Sequence, residues 1–242
     1  MTFQRVGLAI IVFIYLGFGL AYALRTPRWQ APDEPAHFNY VRDLAEGRGL
    51  PVLQTGDYDF DYLEKLKAAK FPPELPIDVI RYESHQPPLY YALAAPIYLA
   101  TRGFPLSQQV LAVRLFSTAL GAILLLLVYA TVVEVFPGDR LLSLAVPAFV
   151  ATVPQHIAMS AAVNNDTLTE VILSSIVLLL LRTLRVGLGR QEGVVIGVML
   201  GLALLTKVIA YIAVLLVPAV VFYLWYSDRL SGLTKLLADK AA

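Results

Sequence analysis

Apolar residues run without a break from Val6 to Leu24, and further apolar runs fill 115–136, 141–162, 167–184 and 193–226. A hydrocarbon core about 30 Å thick takes about 20 residues of helix. Each of the first four runs therefore suits one membrane span. The last is too long for one, and Lys207 is its only charge, so it divides into 193–207 and 208–226. The pattern predicts six spans: 6–24, 115–136, 141–162, 167–184, 193–207 and 208–226. Pro147 and Pro154 are expected to kink the third. Gly138 and the 187–192 stretch supply turns.

Between the first two runs lies a polar segment, 25–106, with most of the acidic residues and most of the tyrosines. Pro35–Glu46 reads as an amphipathic helix with Phe38, Val41 and Leu44–Ala45 as its apolar stripe and Gly47 as its stop. Pro35 suits the first turn, where its missing N–H has no partner anyway. Asp33 or Glu34 is the expected cap. Leu50–Asp61 reads as loop, and Asp61–Lys70 as a short helix ended by Pro72-Pro73. Pro87-Pro88 opens a helix to Thr101, too short to cross upright, so it is expected along the interface. Its tyrosines Tyr90, Tyr91 and Tyr98 suit the headgroup level. Ser107 is the expected cap of the second long helix, and Asn165-Asp166 of the fourth.

The fold class is thus an all-α polytopic membrane protein, read as a single membrane domain over 1–242 with a large first loop carrying interfacial helices. Composition agrees: 58% of residues are hydrophobic and 15% charged, against about 25% charged in soluble domains. The N-terminal run is longer than the apolar core of a secretory signal and reads as an uncleaved helix. Cysteine is absent, which removes disulfides, thiol nucleophiles and cysteine metal sites. A net charge of +1 points to no nucleic-acid partner.

Orientation follows from the short loops. One set of ends carries Arg5, Arg140, Arg182, Arg185, Arg190, Arg229, Lys235 and Lys240, and the other only Lys207. Both termini are expected to be cytoplasmic, in a cell (inner) membrane, with 25–106 outside. Asp33, Glu34, His37, Glu83, His85, His156, Asn165, Asp166 and Lys207 then share the outer side. Helix capping accounts for a lone Asp-Glu pair, but polar residues return to this one side three more times. Asp33 and His37 are four apart and share a helix face. No tight ligand spacing is present, so a divalent metal stays open and no cofactor is assigned.

The motifs come in a specific order. Asp33-Glu34 opens a loop helix, then follow His85-Gln86-Pro87-Pro88-Leu89-Tyr90-Tyr91, Ala112-x-Arg114-Leu115-x-Ser117, Asn165-Asp166, and Gly201-Leu-Ala-Leu-Leu-Thr-Lys207. Over about 5–226 this resembles the N-terminal half of a GT-C fold glycosyltransferase, in the protein O-mannosyltransferase and aminoarabinose-transferase-like superfamily. The resemblance implies sugar transfer from a polyprenyl-phosphate carrier to an acceptor on the outer face. It implies a lipid-linked sugar donor, membrane lipids and other membrane subunits as partners. It makes Asp33 the candidate base, with Glu34 the competing candidate and Asp166 a second acid. Glu170 lies one turn below Asp166 on the same face. The donor phosphate would meet Lys207, Arg114 or His85, the last standing where many members have lysine. His37, Glu83, His156 and Asn165 complete the candidate set.

Members of that superfamily usually continue with more membrane helices. A catalytically inactive GT-C-derived subunit of a larger complex is therefore the alternative to an enzyme. A transporter is disfavoured, because the polar residues gather at one face instead of in paired mid-span breaks. The topology is checked by single cysteines in this cysteine-free chain. Cysteine at Gly56 should label from outside and cysteine at Gly138 should not; the reverse pattern overturns the orientation.

Overall fold

The computed structural model describes residues 2–239. It is all-helical, with no strand among the described residues. The helices are α1 (Thr2–Arg25), α2 (Glu34–Ala45), α3 (Phe60–Ala68), α4 (Leu89–Thr101), α5 (Leu106–Val135), α6 (Arg140–Thr152), α7 (Pro154–Ser160), α8 (Asp166–Val186), α9 (Arg190–Leu204) and α10 (Ala213–Asp239). Two 3-10 turns, Tyr82–His85 and Val208–Ile212, precede α4 and α10.

Four stretches are long and apolar enough to cross a membrane: Phe3–Arg25, Leu106–Val135, Asp166–Val186 and Val208–Ser227. The chain is a multi-pass membrane protein. The third expected span is bent by 67° between α6 and α7. The break falls at Val153, ahead of Pro154, because proline disfavours helical backbone in the residue before it. Pro147 stays inside α6. The fifth expected span, 193–207, forms as α9 at the same length of 15 residues but three residues earlier. At 1.5 Å per residue that is about 22 Å, short of a bilayer core. The division at Lys207 is real: its backbone is extended and a 3-10 turn follows. Ser107 does not cap α5, which starts at Leu106 behind Pro105 without a side-chain cap. Lys240, counted among the basic ends, lies outside the described residues.

α5 is the central helix and packs against α1, α4, α6 and α8. Phe13 and Leu24 of α1 and Leu215 and Phe222 of α10 stay exposed, as suits helices facing lipid. Close approach of α1 and α5 needs glycine: a Cβ on Gly121 of α5 would overlap the Tyr15 hydroxyl of α1, and one on Gly19 of α1 would overlap the Thr118 methyl of α5. The largest core cluster joins the polar segment to the membrane helices. It includes Phe38 and Val41 of α2, Tyr90, Tyr91 and Tyr98 of α4, Val113 of α5 and Ile176 of α8. The three α4 tyrosines are thus buried in protein and not displayed to headgroups. α3 docks separately, through Leu63 and Leu66 against Ala36 and Ile80.

The joint between segment and bundle is ionic. Arg114 lies in α5 with 2% exposure, and Glu34, the first residue of α2, has none. Arg114 Nε and Nη2 donate to the two Glu34 oxygens at 2.7 and 2.6 Å. Nη1 donates to the carbonyls of Ala23 and Thr26, and Nη2 also to that of Pro27. Glu34 further accepts from the backbone N–H groups of Trp29 and Val163. Every member of this network is satisfied, which is the condition under which a buried ion pair is tolerable. Glu34→Ala or Arg114→Ala leaves a buried charge alone and should cost about 3–5 kcal/mol. Glu34→Leu with Arg114→Met should recover part of that loss. Unfolding in detergent checks both, and single variants as stable as wild type would remove the pair from this role.

Candidate functional site

The break after α9 is a meeting point. The Leu89 N–H, opening α4, donates to the Leu205 carbonyl at 2.8 Å. Asn165 Nδ2, just ahead of α8, donates to the Thr206 carbonyl at 3.1 Å. Carbonyls released where helix stops are thereby taken up inside the protein. Next in the chain, Lys207 Nζ bonds Asp166 Oδ1 at 2.5 Å, with both side chains part-exposed. Asn165 is fully buried and makes no side-chain cap. Instead Asn164 Oδ1 accepts from the Asp166 N–H.

Asp33 occupies the N-cap position of α2 in the left-handed region, φ 58°, and its side chain makes no cap. It is exposed, and its Oδ1 accepts a 2.8 Å hydrogen bond from the Tyr82 hydroxyl. Burial and the Asp33 charge push the Tyr82 phenol above its ordinary pKa. Tyr82 is held in turn by α2. Asn39 Nδ2 donates to the carbonyls of Ile77 and Ile80. Arg42 pairs with Asp78, and Arg81 with Asp43. The next residue, Glu83, is buried, and its Oε2 has no partner among the described residues. Burial raises the Glu83 carboxyl pKa, the Asp33 charge adds to the rise, and the His85 and Lys207 charges oppose it. His85 is exposed and its Nδ1 donates to the Tyr82 carbonyl at 2.8 Å.

Asp33, His85 and Lys207 are therefore each close enough to act on Glu83 electrostatically, and Lys207 carries Asp166 with it. Glu34 and Arg114 stand apart from this group, each committed to the buried pair. His37 is buried as well, sharing a 2.8 Å hydrogen bond with the Tyr91 hydroxyl. Tyr91 stacks on Tyr40 with ring centroids 3.7 Å apart. His156 lies 3.8 Å from Glu170, one turn below Asp166. Among the described residues no group of three or more His, Cys, Asp or Glu side chains is arranged to hold a metal ion. Of the direct partners of Asp33 and His37, Tyr82 was not singled out from the sequence, and Tyr91 was read only as a motif residue and an interfacial tyrosine. Tyrosine is common enough in this segment that only the contact marks them.

Burial holds the His37 pKa down to about 3, with the Lys207 and His85 charges acting in the same direction. The unfolded chain protonates His37 near pH 6.5 and the folded one does not, so stability falls as pH drops from about 6.5 towards 3. The contribution reaches at most about 1.4 kcal/mol per pH unit. His37→Gln should flatten that part of the profile of unfolding midpoint against pH. An unchanged profile would show that His37 is not the group responsible.

A family model described as dolichyl-phosphate-mannose-protein mannosyltransferase matches residues 85–238. The match begins at the histidine of the His85-Gln-Pro-Pro motif and runs through Arg114, Asp166 and Lys207. No curated protein and no solved structure matches the chain. Well over half of the sequence lies within the family model, on an all-helical frame with several apolar spans. The chain belongs to the dolichyl-phosphate-mannose-protein mannosyltransferase family and is a membrane glycosyltransferase of the GT-C type.

Proposed function

We propose that the protein moves a sugar from a polyprenyl-phosphate donor to an acceptor hydroxyl on the outer face of a cell membrane, with Asp33 as the base. The observation that carries this reading is the contrast between two adjacent acids. Glu34 is fully buried with both oxygens bound to Arg114. Asp33 is exposed and accepts one hydroxyl hydrogen bond, from Tyr82. A base needs an open approach to the proton it takes, and only Asp33 of the two has one.

In the proposed step the acceptor oxygen attacks the anomeric carbon and its proton passes to Asp33. The bond from that carbon to the phosphate oxygen breaks on the opposite side, so configuration inverts. The carrier leaves as polyprenyl phosphate. Lys207 stabilises the negative charge it takes away, and His85 lies close enough to add to the local field. Asp166 holds Lys207 in position when no phosphate is present. Arg114 is enclosed by carbonyls and Glu34, so its role is to hold the α2 entry. The segment 25–106 lies outside the membrane in this reading and both termini lie inside.

Sugar transfer by the purified full chain, with polyprenyl-phosphate donors in bilayer discs, tests the assignment. Asp33→Asn should lower the rate by about 10²–10⁴-fold, the usual range for a lost general base. Lys207→Ala should raise the donor KM more than it lowers thermal stability. If wild type transfers sugar and Asp33→Asn does not slow it, the base is elsewhere. If no donor supports transfer, the inactive-subunit alternative holds.

A further inference from the structure

Four non-glycine residues have a positive φ among the described residues: Trp29 (69°), Asp33 (58°), Lys70 (58°) and Phe71 (52°). They come from two segments far apart in the chain, yet all four line one cavity of about 550 Å3. Backbone held in this region by non-glycine residues gathers at ligand sites, where the surroundings must enforce it. Here the enforcement is visible. The Phe71 N–H donates to the Leu66 carbonyl at 2.8 Å and the Lys70 N–H to that of Lys67 at 3.0 Å. Leu66 is itself fully buried against α2. On the other wall, Trp29 and Asp33 flank the turn whose Trp29 N–H bonds Glu34.

The charged residues on the cavity wall are Asp33, Lys67 and Lys70. Lys67 pairs with Glu64, and Lys70 is in no ion pair among the described residues. The Asp33 charge reaches Lys67 across the cavity. Lys207, His85 and Asp166 do not line it. Lys70 and Phe71 also border a second cavity of about 520 Å3, walled by Arg28, Gln108, Leu24 and Leu111 at the adjoining ends of α1 and α5. Between them the walls of the two cavities carry one carboxylate, Asp33, and the cations Lys67, Lys70 and Arg28, besides the Arg114 already bound to Glu34.

We propose that this cavity is the acceptor site and that Lys67 and Lys70 bind an anionic group, phosphate or carboxylate, carried by the acceptor. The proposal rests on Asp33 being the base: the acceptor hydroxyl sits at Asp33 while its charged group sits at the lysines. The two lysines act as point charges on a group that the acceptor keeps. Their placement away from Lys207 separates recognition of the acceptor from neutralisation of the donor phosphate.

The test is calorimetric titration of the full chain in neutral-lipid discs with glycerol 3-phosphate, and with glycerol as the uncharged control. Glycerol 3-phosphate should bind and glycerol should not. The Lys67→Gln/Lys70→Gln double variant should bind at least about tenfold more weakly, the loss expected for removing charge-assisted contacts. Lys65→Gln, an exposed charge on the same helix that does not line the cavity, should bind as wild type does. Repeating the titration in discs containing phosphatidylglycerol identifies the source: competition points to a lipid headgroup, and its absence to a water-soluble acceptor. Equal affinity of wild type and the double variant, or equal binding of glycerol, overturns the proposal. Binding is read without transfer, so loss of lysine-dependent binding sinks only this site, whereas normal transfer by Asp33→Asn sinks the assignment of the base.

Discussion

The structure depends on one buried ion pair. An arginine two turns into an apolar helix costs several kcal/mol unless its donors are used. Arg114 uses them on Glu34 and on three carbonyls at the end of α1. That single requirement clamps the 23–34 turn onto α5. It also settles which of two adjacent acids is available. With Glu34 drawn inward as the first residue of α2, Asp33 is left at the helix entrance in a left-handed conformation and turned to Tyr82.

From this clamp the rest of this end of the bundle follows in order. α2 lies against α4 through the stacked Tyr40 and Tyr91 and the His37 hydrogen bond. α4 is tied to α5 by the 2.7 Å bond between the Tyr90 hydroxyl and Ser117, and to the end of α9 by Leu89. The end of α9 presents Lys207 to Asp166. Two motif residues, Arg114 and Ser117, therefore work through architecture: one anchors α2 and the other anchors α4. The groups proposed to react sit on breaks. Asp33 is at a helix entrance, Tyr82 to His85 form a 3-10 turn, and Lys207 has extended backbone between α9 and the next turn. Such breaks inside a membrane protein survive only where neighbouring groups use the exposed backbone, and Asn165 and Leu89 do so here.

The helical content, four of the six expected spans and the division at Lys207 were legible along the chain. Apolar periodicity and run length are local properties, and a lone lysine in a long apolar run marks its own break. α2 could be placed within one residue because Pro35, the Phe38–Val41–Leu44 stripe and Gly47 act within a few turns. α9 was read three residues too late at both ends, as 193–207 against Arg190–Leu204, because hydropathy alone does not report where helical hydrogen bonding starts and stops. The α4 tyrosines were expected at the lipid surface because an amphipathic ring suits either an interface or a polar core. In the core, Tyr90 shares a hydrogen bond with Ser117 and Tyr91 one with His37.

The sequence by itself determined an all-α membrane protein of this family and a set of polar residues returning to one end of it. It left Asp33 and Glu34 equivalent, and Arg114 and Lys207 equivalent as cations. Tertiary structure separated each pair, because burial and partners come from residues far away in sequence: Arg114 lies 80 positions from Glu34, and Asp166 lies 41 from Lys207. The gathering of four left-handed residues around one cavity is also a tertiary fact. No pattern along the chain announces which non-glycine residues will be forced across the φ barrier. That outcome depends on α3 docking against α2 and on the Arg114–Glu34 pair that ties the α2 entry to α5.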